Sequence, residues 1–486
     1  MSVTRNELIL IVTVTLLYLI GQLLTGTDPV VASLFSIAIF FGALSVFAGG
    51  GLASAFGCLN AILIGKFLLF GIAVKIALCQ PSDDSLSAPP TTALVMALGF
   101  IGLFVGTLIQ HRLPCPRFLS MNRPLGDRLL RSLSIVLFIT GYAAYFASMI
   151  PDISGQGLQT GGWLGIARTL GSLRSLSIIP SMLYLWQIRT RLWMMHPVVI
   201  SLLAWGTLVG IFSTGKLEAM EPLVFYVLLG FLRYGWRDLR LWSLVSLGTI
   251  YYAMILFPYS QYVRGNGGRQ GTFAQRAEVT KYTFLRVATD QNFRTTLSNR
   301  EDKGSYFGSG QLSPFGRLAM VGEADRLIAA TERQEAFTGW ETIIWGPKLL
   351  APSFLYSEKP VVEAGNYLGH IAGEVASSDT TTQMSYGIMA NLYSAFSFVG
   401  VLIGTPIFVA GFYYWIRIFC GNAKWEGQPT TSTLWFIWII ASYQHSIVEG
   451  SLSGIVASLS FPVVFGLLYV LSRGLSLFFP NKVCQA

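Results

Sequence analysis

Residues 91–112 read TTALVMALGFIGLFVGTLIQHR. From Thr92 to Gln110 no side chain is charged, and a helix of that length spans about 28 Å at 1.5 Å per residue, close to the thickness of a bilayer's hydrocarbon core. Arginines crowd in directly afterwards: Arg112, Arg117, Arg123, Arg128 and Arg131. Basic side chains resist translocation, so an apolar run that ends in them is a membrane helix leaving on the cytoplasmic side.

The same pattern extends along the chain. Apolar runs fall at 8–24, 30–48, 52–78, 92–110, 131–150, 173–188, 197–213, 219–235, 240–259, 387–415, 432–449 and 454–472, which predicts twelve spans. The 486 residues are 53% hydrophobic and 12% charged, with mean hydropathy +0.57; a soluble domain carries about a quarter charged residues. Connections after even-numbered spans hold the arginines above, then Arg189 and Arg191, Arg233, Arg237 and Arg240, Arg417 and Lys424, and finally Arg473 and Lys482; Arg5 joins them. Short connections after odd-numbered spans hold Asp28, Asp83, Asp84 and Asp152, with Arg168 and Lys216 as the basic members. Both termini are therefore expected in the cytoplasm. The first run lacks a small-residue cleavage pattern before Asp28 and reads as an uncleaved anchor.

This alternation also explains the net charge of +9, which is a topology signal and implies no nucleic-acid partner. The five cysteines form no CxxC pair and avoid the long polar stretch, which argues against a disulfide framework or a zinc site. Neither a Walker lysine motif nor a GxGxxG turn between strand and helix is present, which argues against an ATP-driven pump.

The organisation is thus membrane helices over 1–259, a polar loop domain over 260–386 on the outer side, and membrane helices over 387–486. The loop domain holds thirteen basic and thirteen acidic residues, the basic ones weighted early. It opens on a glycine-rich arm from Arg264 through Arg269 to Gly271, while Gly316 to Arg333 has helical spacing with Leu318, Val321, Leu327 and Ile328 on one side. A loop so long is functional or disordered, and Trp340, Trp345, Leu349, Leu350, Phe354 and Tyr356 favour an ordered lid of short helices packed on the bundle.

Cations on the outer side gain nothing from the topology rule, so an anionic ligand is the natural reason for them. Arg174 opens span six, Lys216 closes span seven in Ser213-Thr214-Gly215-Lys216, and Arg264 follows span nine, with Arg269 beyond it in the arm. Such groups suit a diphosphate, because the guanidinium fork matches phosphate oxygens; snorkelling or pairing with Glu218 or Glu221 is the alternative. Lys66 lies near the middle of span three, and Lys75, nearer its outer end, is expected to snorkel. Of the four histidines, His111 and His196 lie beside cytoplasmic basic loops, His445 sits one turn before Glu449 in span eleven, and His370 is in the loop domain. Histidine is the usual side chain for taking a proton from a hydroxyl, its ordinary pKa being about 6.5. His370 is accordingly the candidate base, with Lys359, Glu374, His445 and Glu449 in a second rank.

Between Gly346 and Gly411 the chain carries Pro352-Ser353-Phe354-Leu355-Tyr356-Ser357-Glu358-Lys359-Pro360, Gly365-Asn366-Tyr367-Leu368-Gly369-His370, Asp379-Thr380-Thr381-Thr382, Asn391-Leu392-Tyr393 and Phe398-Val399-Gly400. In order and spacing these resemble the bacterial oligosaccharide repeat-unit polymerases, the O-antigen polymerase family, which is related to O-antigen ligases. Ser353, Ser357 and Asn391 depart from the pattern, which has arginine, proline and glutamate there. The resemblance implies an all-α polytopic membrane protein with a GT-C-like fold. It also implies a glycosyltransferase that uses undecaprenyl-diphosphate-linked oligosaccharide among the membrane lipids, with no nucleotide sugar, no cofactor and no obligatory metal, beside a polysaccharide co-polymerase partner. On that reading His370 takes the acceptor's proton, Arg174, Lys216, Arg264 and Arg269 neutralise the departing diphosphate, and Tyr367, Asp379, Thr380 and Thr381 hold the glycan.

Three rivals share parts of the pattern. A ligase would move finished glycan to another acceptor on the same scaffold. A transporter of lipid-linked sugars would show matched repeats and broken helices at midplane. A non-catalytic scaffold would account for Asn391 and Ser353.

Overall fold

The computed structural model describes residues 3–114, 125–148, 170–171, 173–188, 190, 193–212, 216–265, 273–293, 306–307, 316–350, 364–377, 379, 382, 384–449, 455–456 and 458–478. Among them the regular structure is helical apart from one isolated bridge between Ser54 and Lys424. In chain order the helices are α1 Arg5–Leu24, α2 Pro29–Ala48, α3 Ala55–Ala77, α4 Pro89–Arg112, α5 Asp127–Ser148, α6 Ile178–Gln187, α7 Pro197–Phe212, α8 Lys216–Tyr234 and α9 Leu239–Tyr251, which runs on into Phe257–Gly265. Then come α10 Phe273–Thr289, α11 Met320–Gln334, α12 Glu341–Leu350, α13 Ala364–Ile371, α14 Gly387–Val399, α15 Thr405–Cys420, α16 Thr431–Glu449 and α17 Phe461–Leu475. Helices thus occupy each of the apolar runs read from the sequence, and among the described residues eight are long and apolar enough to cross a membrane: α1 to α5, α9, the joined α14 and α15, and α17 with its flanking turns. The chain is an all-α membrane protein.

Local chemistry starts these helices. Asp28 caps α2, accepting from the Val30 and Val31 amides at 2.8 and 3.2 Å with Pro29 in first position. Thr4 and Glu7 form a reciprocal capping box on α1. At the far end of α4, Arg417 of α15 donates to the carbonyls of Gln110 and Leu113 at 2.7 and 3.2 Å, where the helix dipole favours a cation.

The chain falls into two compact units. The first comprises Met1–Ser120, Glu301–Trp425 and Ser442–Pro462. In it α2 packs along α4 and α4 along α15. The α4–α15 approach is close because Gly102 and Gly106 meet Thr405, Pro406 and Val409, the small-residue contact that lets membrane helices touch backbone to backbone. A buried polar set fixes the register: the Asn60 amide donates to the Ser45 carbonyl and Thr107 Oγ1, while Tyr413 donates to Asn60 Oδ1 at 2.6 Å. Tyr413→Phe removes that last donor and leaves an amide oxygen unpaired away from water. It is expected to cost about 1–3 kcal/mol, read as a lower midpoint of unfolding in detergent.

The first unit also holds the described part of the long polar segment that follows residue 300, and it does not lie flat on the helix ends. Helix α11 presents Val321, Leu327 and Ile328 to the bundle, fully buried as their spacing predicts. Its Asp325, also buried, reaches the start of α4 and accepts from the Ser87 and Ala88 amides at 2.6 and 3.0 Å and from Thr92 Oγ1 at 2.7 Å. Tyr306 and Ala319 pack on Gly71, well inside α3. Lys75 does not snorkel: it is buried, donates to Ser85 Oγ at 2.8 Å and lies 5.3 Å from the Tyr306 ring centre. The reason is that Tyr306 closes over the lysine, its own hydroxyl donating to the Ser82 carbonyl at 2.7 Å.

Deepest of all is Gly387. It packs against the ring of Phe67, midway along α3, with no room for a Cβ and with φ at +76°. Two residues on, Met389 lies against Gly99 near the middle of α4. From there α14 climbs to Phe396 and Ser397, where the backbone leaves the helical region with φ/ψ of −142°/24° and 57°/−152°. After this break Gly400 touches the Leu392 carbonyl and Gly404 the Leu392 side chain. In a continuous helix those pairs would stand about 12 and 18 Å apart, so the chain has turned back on itself. The run read as a span from 387 to 415 is therefore a helical hairpin, and its descending arm, residues 398–420, is by itself long enough to cross a membrane. Apolar composition looks the same for a buried hairpin arm and for a span, which is why the sequence did not separate them.

The second unit comprises Met121–Arg300, Glu426–Ala441 and Val463–Ala486. Here α5 packs on the 3-10 turn Arg174–Ser177 and on α6, and α7 packs along α8, with Gly206 against Pro222. Tyr259 of α9 donates to the Ile211 carbonyl at 2.8 Å. Trp438 stacks on Phe465, joining α16 to α17.

Candidate functional site

His370 closes α13 in the first unit. One helical turn earlier Asn366, fully buried, faces it, with His370 Nε2 and Asn366 Oδ1 3.1 Å apart. The amide's orientation is fixed by its other end, because Asn366 Nδ2 donates to the carbonyls of Asp379 at 3.0 Å and Thr382 at 2.8 Å. The Oδ1 atom is then the acceptor toward the histidine, so Nε2 is the ring nitrogen that donates, and in a neutral ring the lone pair lies on Nδ1. The spacing Asn366 to His370 sets the two side chains on one helix face. One buried amide therefore joins Gly365–His370 to Asp379–Thr382, which the sequence shows only as neighbouring motifs.

The other predicted contacts resolve differently. Asp379 turns its carboxylate into its own loop, accepting from the Thr382 amide at 3.0 Å and from the Thr382 hydroxyl at 2.5 Å, so it shapes the turn below α13. Tyr367 donates to Glu341 of α12 at 3.2 Å and meets the edge of Trp345 at 5.3 Å; burial and the Glu341 charge push its phenol up, which keeps it a donor. Glu374 accepts from Tyr386 at 2.8 Å and pairs with Arg326 Nε at 2.6 Å, while Arg326 also pairs with Glu323. Glu374 is thus part of an ionic brace between α11 and the segment after α13. Lys66 lies in the π-turn Gly65–Leu69 and lines, with Tyr18, Leu69, Phe70, Ala73 and Leu318, a groove of about 390 Å³.

Arg174 belongs to the second unit and is buried rather than displayed. Its guanidinium lies 4.0 Å from the Tyr145 ring centre and donates to the Gly171 carbonyl at 2.9 Å. Next to it Ser175 donates to Glu221 at 2.8 Å. Lys216 begins α8 and Arg264 lies in the last turn of α9, where their backbones alone are described. His445 and Glu449 fall on α16 in the same way. Arg269, Lys359, Thr380 and Thr381 lie outside the described residues.

Asn366, Asp325 and Tyr386 carry most of this architecture, and the sequence reading gave none of them a role. For Asn366 a signal existed in the four-residue spacing to His370. For Asp325 the signal was an acid on the apolar face of an amphipathic helix, a position that demands a partner. Comparison with models of known families, with characterised proteins and with solved structures finds no match for the chain.

Proposed function

We propose that the chain is a polymerase of oligosaccharide units carried on undecaprenyl diphosphate, working without metal at the outer face of a bacterial inner membrane. The proposal retains the twelve-span, GT-C-like topology with both termini inside. The observation that carries it is the Asn366 clamp, which engages Nε2 of the histidine, leaves Nδ1 as the nitrogen turned away from the clamp, and ties two motifs of the resemblance into one hydrogen-bonded unit. In the step it supports, the acceptor hydroxyl oxygen attacks the anomeric carbon of the donor. Its proton passes to His370 Nδ1, and the bond from the anomeric carbon to the diphosphate oxygen breaks, leaving undecaprenyl diphosphate. One displacement inverts the anomeric centre. Lys216, Arg264 and Arg269 are assigned to the charge growing on the diphosphate, on chemical grounds; Arg174, stacked on Tyr145, is assigned to bracing its own turn.

The test is reconstitution of the purified chain with lipid-linked single units. Products of two or more units on the carrier support the polymerase. Transfer to a separate acceptor with no lengthening identifies a ligase, and no product in either assay leaves a scaffold. Asn366 is a positioning residue in this scheme: Asn366→Ala is expected to slow transfer about 10- to 100-fold. Because it acts through the histidine, combining it with His370→Ala should add little further loss, whereas a purely structural role would make the two losses multiply.

A further inference from the structure

The connection between α11 and α12 is pinned to the tip of the α14 hairpin. Thr338 and Gly339 donate their amides to the carbonyls of Ser394 and Ala395 at 2.9 and 3.1 Å, the groups left open where the helix breaks. Around these bonds Phe337 packs on Tyr393 at 6.3 Å and Trp340 meets Phe396 edge-on at 5.0 Å. Yet Trp340 is 65% exposed, and Phe337 and Ile344 are also exposed. Below the tip exposed apolar side chains recur at Val399, Leu402, Ile403 and Ile407, the last 67% exposed, along a segment apolar enough to span a membrane. Acids flank the aromatic residue, at Glu335 and Glu341.

We propose that residues 337–344 are a membrane-interface anchor whose occupant is the headgroup and upper acyl region of the bilayer. The argument is continuity. The exposed apolar stripe on 399–407 does not stop at the hairpin tip but passes onto Phe337 and Trp340, and tryptophan, with an apolar body and an N–H donor, is a side chain that favours the membrane–water boundary. The anchor has a mechanical partner, since Glu341 and Trp345 hold Tyr367 on the helix that ends in His370. Seating Trp340 in the interface therefore sets the height of His370 at the level of lipid headgroups. That last link rests on the proposed function; the lipid contact does not.

The experiment uses the full chain in liposomes and reads Trp340 as the difference in emission between wild type and Trp340→Phe. Lipid brominated high on the acyl chain is expected to quench that component by more than about half, and aqueous iodide to leave it nearly unchanged. Quenching by iodide and not by brominated lipid overturns the anchor, and so does protection from both, which would mean a second copy or a glycan covers the patch. Phe337→Trp in the Trp340→Phe background reports the same surface should the difference signal be small. Trp340→Glu is expected to slow transfer about tenfold or more while the protein stays inserted. Brominated-lipid quenching in a wild-type protein that makes no polymer would uphold the anchor and remove the polymerase reading alone.

Discussion

On the proposed function, replacing His370 with alanine is expected to collapse the polysaccharide ladder to single units on the carrier lipid. A positioned general base contributes about 10²- to 10⁴-fold, and among the described residues the groups tied to His370 are the Asn366 amide and, through it, two backbone carbonyls, none of which accepts a proton at neutral pH. The substitution removes one end of a hydrogen bond on a partly exposed helix end and leaves the Asn366 clamp on Asp379 and Thr382 in place. Amounts of inserted protein should therefore match wild type. The measurement is gel profiling of lipid-linked glycan in a deletion strain complemented with each form. Unchanged chain length with His370→Ala would remove the histidine from the chemistry while leaving the fold untouched.

Asp325→Ala is expected to have the largest effect on stability. The carboxylate is buried and receives three hydrogen bonds at the start of α4, two of them from amides that have no intrahelical acceptor. Alanine leaves all three donors unpaired away from water, a loss of about 3–5 kcal/mol. At roughly 1 °C per kcal/mol for a chain this large, the unfolding midpoint should fall by about 3–5 °C. Asp325→Asn separates charge from contact. Its one oxygen can keep the Ala88 and Thr92 donors, but its amide faces the Ser87 N–H donor to donor, so an intermediate loss is expected. Proteolysis within 301–350 in detergent should accelerate in the same order. Equal stability of all three forms would mean that α11 docks through its apolar face alone.

The membrane helices were legible because hydrocarbon thickness is a one-dimensional constraint, readable without knowing which helix touches which. The amphipathic helix at α11 was legible for the same reason, as Val321, Leu327 and Ile328 repeat at helical spacing. Depth was not. Lys75 reads as a surface lysine until Tyr306, 231 positions along, covers it. The hairpin at Phe396 and Ser397 reads as one long span because both arms are apolar and the break contains no proline. In the candidate site the histidine was found by residue type, whereas its tautomer depended on two carbonyls at Asp379 and Thr382 that no side-chain pattern reveals.

The hairpin also bears on how such a chain is made. An insertion machine that sorts segments by apolarity meets residues 387–415 as one hydrophobic stretch, but the seat of its first arm is the floor formed by Phe67 and Gly99. That floor exists only after α3 and α4 have been delivered and paired. The arm can consequently take its seat only once those two helices are in place. Its docking is then a late assembly step that locks helices made several hundred residues earlier to one another.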